Sequence, residues 1–369
     1  MVLKKNKILF LIALVLFIMT AVFIYQYFFQ IKKITFKTAL NLAHRMAGKS
    51  EYPTRFNAQS PVLAREGIAI FTASSLDRIF SDGKTLLKPH FAASRSIFLA
   101  RNEYESFQVV VQSKGREIHD VQLSFSDFVN IKAGTKINQR NLTWRVVGFV
   151  KTFEPYYPVK YIGLWPDPLL PPHKVNVKKN FTQPFWITFY ASKDCLPGDY
   201  EGFVFIQSGS QILQSVPVKI HIYNFELPIT SHLKTAFDFY SHMTKLRYLQ
   251  DSHEADDTYQ ARLNNINDQY ISTMLQYRMN PILNVDPSDQ MELSAIDRYL
   301  VLGLNNFSIG KRGGTFNNNW PHTDGAIDNL FSLYRTYGED LKLNGMLAYS
   351  YIYLWDEGKM GDPQVKKIA

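Results

Sequence analysis

The sequence predicts a multidomain β plus α/β fold. An N-terminal transmembrane helix leads to a β-sandwich, then to a (β/α)8 TIM-type barrel truncated after about four βα units. Three observations carry this. An apolar run fills Ile8 to Phe29; short strand-forming segments separated by turns fill roughly Gly67 to Leu227; strand-like and helix-like segments alternate after Leu227-Pro228. The domains expected from these changes of texture are 1–30 for the signal anchor, 31–60 for a juxtamembrane linker, 61–230 for the sandwich and 231–369 for the partial barrel.

The run Ile8–Phe29 is apolar except for Thr20, Gln26 and two tyrosines. Its 22 residues suffice to cross a hydrocarbon core of about 30 Å at about 1.5 Å per residue. Lys4, Lys5 and Lys7 precede it and favour a cytoplasmic N-terminus. A cleaved signal peptide is the rival, but the run ends in Tyr25-Gln26-Tyr27-Phe28-Phe29 with no small-x-small cleavage site. An uncleaved anchor is favoured over a secreted product. In both cases the globular part is expected outside the cytoplasm, in the periplasm or at the cell surface.

The net charge of +9 belongs to the membrane end. Residues 1–60 hold nine Lys or Arg against the single acid Glu51; the remaining 309 residues hold 32 basic and 31 acidic side chains. The globular part thus lacks the basic excess that a nucleic-acid partner requires, and none is expected. The lone Cys195 excludes an intrachain disulfide framework and reads as a small semi-buried residue.

Within the sandwich region, 107–111, 121–125, 185–190, 202–206 and 216–222 are β-branched, aromatic or alternating, and Pro197-Gly198-Asp199 is a turn signal. In the second region Thr235–Phe239, Pro281–Val285, Asn306–Gly310 and Leu347–Trp355 read as strands. Helices are expected over 257–278, with Tyr259, Leu263, Ile266, Tyr270 and Met274 on one face, and over 291–300 and 327–337. Asp362-Pro363 reads as the start of one more. Four such units are half of a barrel of ~250 residues, and half a barrel leaves open sheet edges. The expectation is a C-terminally truncated chain, with a smaller open α/β domain as the alternative.

The candidate chemistry lies where the last strand ends, at Trp355-Asp356-Glu357-Gly358, twelve residues before the terminus. Parallel sheets and barrels carry their catalytic groups at the C-terminal ends of strands. Adjacent side chains on a regular strand point apart; Asp356 and Glu357 can share a pocket only where Gly358 breaks the strand. Two close carboxylates can divide labour, one ionised and one protonated, as in glycoside hydrolysis. Composition alone favours a solvated turn for Asp-Glu-Gly. The neighbouring Tyr353, Trp355 and Trp320 weigh against that, since aromatic rings offer apolar faces to sugars. Tyr349 and Tyr351 read as core packing. Asp238, Tyr240, His242 and Asn284 fall at predicted strand ends and are further substrate-binding candidates. No metal-ligand spacing occurs, and no cofactor is expected.

Four blocks in order carry a family resemblance: Ala100-Arg101-Asn102-Glu103-Tyr104-Glu105-Ser106-Phe107-Gln108, Gly163-Leu164-Trp165-Pro166-Asp167-Pro168-Leu169-Leu170-Pro171, Pro197-Gly198-Asp199-Tyr200-Glu201-Gly202 and Phe225-Glu226-Leu227-Pro228. Together they resemble the N-terminal β-sandwich of glycoside hydrolase family 123, and Leu233–Phe237 resembles its first barrel strand. The resemblance implies a retaining, substrate-assisted β-N-acetylgalactosaminidase type of activity on a glycan. In that family Asp356 matches the aspartate that orients the 2-acetamido group, and Glu357 the general acid/base. Gly358 departs from the proline commonly found there. The alternatives are a non-catalytic, membrane-tethered carbohydrate-binding protein and an inactive fragment of the enzyme.

Overall fold

The computed structural model describes residues 54–55, 63–65, 67–85, 91–130, 132–159, 161–309 and 324–352. The N-terminal apolar run, Trp320, Tyr353, Trp355, Asp356, Glu357, Gly358 and Asp362-Pro363 lie outside them. Among the described residues no helix is long and apolar enough to cross a membrane. The chain divides into two compact units. The first comprises Met1–Leu99, Glu105–Tyr190 and Leu196–Ile222; the second comprises Ala100–Tyr104, Ala191–Cys195 and Tyr223–Ala369.

The first unit is built on two sheets. Leu164–Leu170, Leu142–Lys151, Thr182–Ala191, Glu103–Ser113, Ile68–Ser74 and Leu63–Arg65 form one, in that spatial order. Val175–Val177, Ile118–Phe125, Gly198–Ser208, Gln211–Glu226 and Arg95–Arg101 form the other, with two short strands at its side. Alternation decides the faces of Gly198–Ser208: Tyr200, Val204 and Ile206 are buried, while Asp199, Glu201 and Phe203 are exposed. The run Phe107–Val111 instead is buried without alternation. One of its faces meets the cluster of Phe71, Ala73, Ile79, Phe91 and Val110, so both sides of this strand are covered. Gln108 is tolerated there because its Nε2 donates to the carbonyls of Ser74 at 2.7 Å and Asp77 at 2.8 Å. Pro166 and Pro168 sit in the edge strand Leu164–Leu170, where a missing N–H costs least.

In the second unit the pairing is parallel. Phe237 bridges Pro281, and Asn284–Val285, Phe307–Ile309 and Ser350–Tyr351 pair in sequence order. The helices Ser241–Arg247, Asp256–Gln276, Gln290–Val301 and Asp324–Leu343 alternate with them. Asp289 caps the third helix, accepting from Met291 N at 2.9 Å and Glu292 N at 3.3 Å. Ile271, Leu275, Leu293, Ile296 and Leu341 pack on Val285, Phe307 and Ile309 in one core. Tyr299 reaches out of this core to donate to the Asp268 carboxylate.

Three local expectations need correction. Thr235–Phe239 contributes one isolated bridge rather than a strand. Leu347–Tyr349 is a 3-10 turn, and only Ser350–Tyr351 is strand among the described residues of the expected Leu347–Trp355 strand. There Tyr349 N bonds Met346 O at 3.0 Å, a local bond that replaces a ladder bond, and Tyr349 is 38% exposed rather than packed in the core. Along the long helix the buried positions are Leu263, Ile271 and Leu275, and Tyr270 is exposed. Apolar residues at both 270 and 271 allow two stripes, and the core selects the one that meets Leu293 and Phe307.

Candidate functional site

The C-terminal ends of the parallel strands are the site expected from topology. Asn284 lies on its strand and is exposed. Asp238 is exposed after the Phe237 bridge. Tyr240 and His242 do not lie on a strand. Tyr240 is the N-cap of Ser241–Arg247, and His242 is inside that helix, their rings 5.6 Å apart. The helix starts here because Met243 N bonds Tyr240 O at 2.8 Å and Thr244 Oγ1 donates to Ser241 O at 2.6 Å. Both side chains are exposed. Tyr240 and His242 are thus neighbours.

Sequence reasoning passed over Asp286, the residue after Val285 at the strand's C-terminal end. Its Oδ1 accepts from Ser288 N at 3.1 Å and Ser288 Oγ at 2.5 Å. Its own N donates to Glu292 Oε2 at 2.7 Å. Burial holds the Tyr337 phenol above its ordinary range, and a hydrogen bond to Asp286 adds to the shift. Asp286 therefore braces the loop that leads into the capped helix. The Asp-Pro-Ser-Asp sequence is the signal that could have revealed it. Burial also raises the Tyr351 phenol on the last described strand, so it is a neutral donor at pH 7.

At the opposite ends of these strands sits a cluster of buried amides. Asn280 precedes Pro281, and Asn305 and Asn306 precede Phe307; all three are buried. Asn305 N donates to Asn280 Oδ1 at 2.7 Å. Asn305 Nδ2 donates to the carbonyls of Ser231 at 2.7 Å and Leu233 at 3.0 Å, and Asn306 Nδ2 to Thr235 O at 2.9 Å. These side chains hold the 231–235 segment against the strands where it makes few ladder bonds of its own. Among the described residues no cluster of three His, Cys, Asp or Glu side chains could hold a metal ion.

An antiparallel sandwich followed in the chain by parallel strands with intervening helices defines a multidomain β plus α/β protein. Residues 96–208, within the sandwich, match the family model described as Glycoside hydrolase 123 N-terminal domain. Among solved structures the chain is similar to a family 123 glycoside hydrolase from Clostridium perfringens, with 14% identity and a TM-score of 0.57 over 78% of this chain. The chain spans 58% of that enzyme's length. Weaker similarity reaches a Niemann-Pick type C2 protein from Japanese carpenter ant, at 12% identity and a TM-score of 0.21 over 34% of this chain and 79% of that one. It also reaches a Bacteroides ovatus GH5 xyloglucanase, at 9% identity and a TM-score of 0.19 over 70% of this chain and 63% of that one. At those scores neither bears on the fold. No curated protein matches the chain.

Proposed function

We propose that this protein is a glycoside hydrolase that removes a terminal β-linked N-acetylhexosamine, N-acetylgalactosamine in preference, by a retaining, substrate-assisted mechanism. The observation that carries it is the glycoside hydrolase 123 domain at 96–208. Parallel strands follow that domain, and the last of them described, Ser350–Tyr351, precedes Asp356 and Glu357 in the chain. The similar Clostridium perfringens enzyme is described by its hydrolysis of glycolipid glycans, which supports a glycan substrate.

In this mechanism Glu357 begins protonated and gives its proton to the glycosidic oxygen as the bond to the anomeric carbon breaks. The acetamido oxygen of the substrate forms the new bond to that carbon. Asp356, ionised, accepts the amide N–H and stabilises the oxazolinium charge. Glu357, now a carboxylate, takes a proton from water, which opens the intermediate with net retention. Trp355, Tyr353 and Trp320 offer apolar ring faces, and Asp238, Tyr240, His242 and Asn284 offer polar contacts. The 1–30 segment anchors the protein in the membrane, with the residues beyond it outside the cytoplasm.

Replacing Glu357 with Gln tests the assignment. Turnover of a natural glycan should fall about 10²- to 10⁴-fold, while an aryl glycoside with a good leaving group is cleaved with a smaller loss. Full activity of the variant on a natural glycan would remove Glu357 from the mechanism. Membrane fractionation with protease protection checks the anchor and its orientation.

A further inference from the structure

A groove of about 840 Å³ lies on the sandwich unit, lined by residues of four segments: 96–98, 130 with 132 and 133, 197–201, and 219–221. We propose that it is a glycan-binding site for a neutral pyranose unit, built wholly from sandwich residues and independent of the acid pair.

Register creates its polar row. Asp199 lies opposite His221 and Glu201 opposite Lys219 across the hairpin. His221 Nδ1 and Asp199 Oδ1 are 2.7 Å apart, and Lys219 Nζ lies 2.8 Å from Glu201 Oε1. Exposed ion pairs of this kind add little to stability. A carboxylate accepts up to about four hydrogen bonds and an ammonium donates three. Each pair thus keeps capacity for a ligand while its geometry is already set.

Phe98 supplies the apolar face. It is 58% exposed on the neighbouring strand, with its ring 6.0 Å from the His221 ring. A pyranose needs this combination: an apolar surface for its C–H face beside donors and acceptors for its hydroxyls. The wall is rigid. Asn130, itself buried, accepts on Oδ1 from the N–H groups of Lys132 and Ala133, both at 3.0 Å, and its N donates to Thr135 O at 2.9 Å. Gly198 closes the floor at φ +137°, and a Cβ there would fall 2.5 Å from Asn130 Nδ2. Asp199 and Glu201 are balanced by Lys132 and Lys219, so the groove has no excess charge to select an acidic sugar.

The full chain is titrated calorimetrically with chitotriose, lactose, cellotriose and 3′-sialyllactose. At least one neutral saccharide should bind. Phe98→Ala and Asp199→Asn should each weaken it by about tenfold or more, with folding checked by circular dichroism. Phe203→Ala, exposed on the same sheet face but outside the groove, should leave it unchanged. Absence of binding by every neutral saccharide, or binding that survives both groove variants, or tighter binding of 3′-sialyllactose, would overturn the proposal. Repeating the titration in the Glu357→Gln background keeps this result separate from any loss of hydrolysis.

Discussion

Arg278 donates from Nη2 to the backbone carbonyl of Asn102 at 2.7 Å and from Nε to Pro228 O at 2.8 Å. Asn102 is itself in the left-handed region, at φ 61°, and its Nδ2 donates to Leu227 O at 2.8 Å. Two of the blocks that carry the family resemblance, around Asn102 and Leu227-Pro228, thus converge on one guanidinium. Their residue types serve a turn and its clamp rather than a reaction.

Arg278→Ala should therefore destabilise the protein by roughly 1.5–3 kcal/mol, the range for hydrogen bonds to charged groups. Arg278→Lys should recover little, because an ammonium cannot span two carbonyls as the planar fork does. Urea unfolding of the two variants checks this, and full recovery by lysine would contradict the clamp.

Asn305→Ala removes the donor to Ser231 O and Leu233 O at a buried position. The expected loss is about 1–3 kcal/mol. Hydrogen exchange should rise most in the 231–235 segment. A uniform rise across the unit would show that Asn305 does not act on that segment in particular.

Gly202 faces the Phe128 ring, and a Cβ there would lie 2.8 Å from ring carbons that cannot swing aside cheaply. Phe128 is fully buried and packs 6.4 Å from Phe189 of the other sheet. Gly202→Ala should cost roughly 1–3 kcal/mol by overpacking. Phe128→Leu in the same chain should relieve part of it, which thermal melts of the single and double variants can measure.

Glu254 receives Arg262 Nε at 2.8 Å and Nη2 at 2.7 Å, and this bond holds its carboxyl below the usual range. A lowered folded pKa means stability that is present above the unfolded value and lost as pH falls through the folded one. Glu254→Gln should therefore flatten the acid side of the Tm-against-pH curve and leave its alkaline side in place. An unchanged acid slope would mean the pair contributes nothing.

Much of the architecture is legible in the chain because its cause is local. The strands around 107–111 and 216–222 follow from β-branched and alternating residues, and the helix at Gln290 follows from its Asp289 cap. The alternation of strand and helix after Leu227 likewise foretells parallel pairing, which the registers of 284–285, 307–309 and 350–351 display. Other features depend on partners distant in sequence. The buried stripe through Ile271 is chosen by the core it meets, and the Phe237 segment is held by amides some 45 to 70 residues further on rather than by a full ladder.

By itself, then, the sequence determined the two fold textures, their order and the family resemblance of the 96–208 region, since periodicity, turn residues and motif blocks are written along the chain. Only the tertiary structure decided that Asn102 and Arg278 share a clamp, that Asp286 braces a loop, and that Asp199, His221 and Phe98 line one groove. Each of these depends on strand register or chain reversal, which bring together side chains whose sequence separation carries no trace of their proximity.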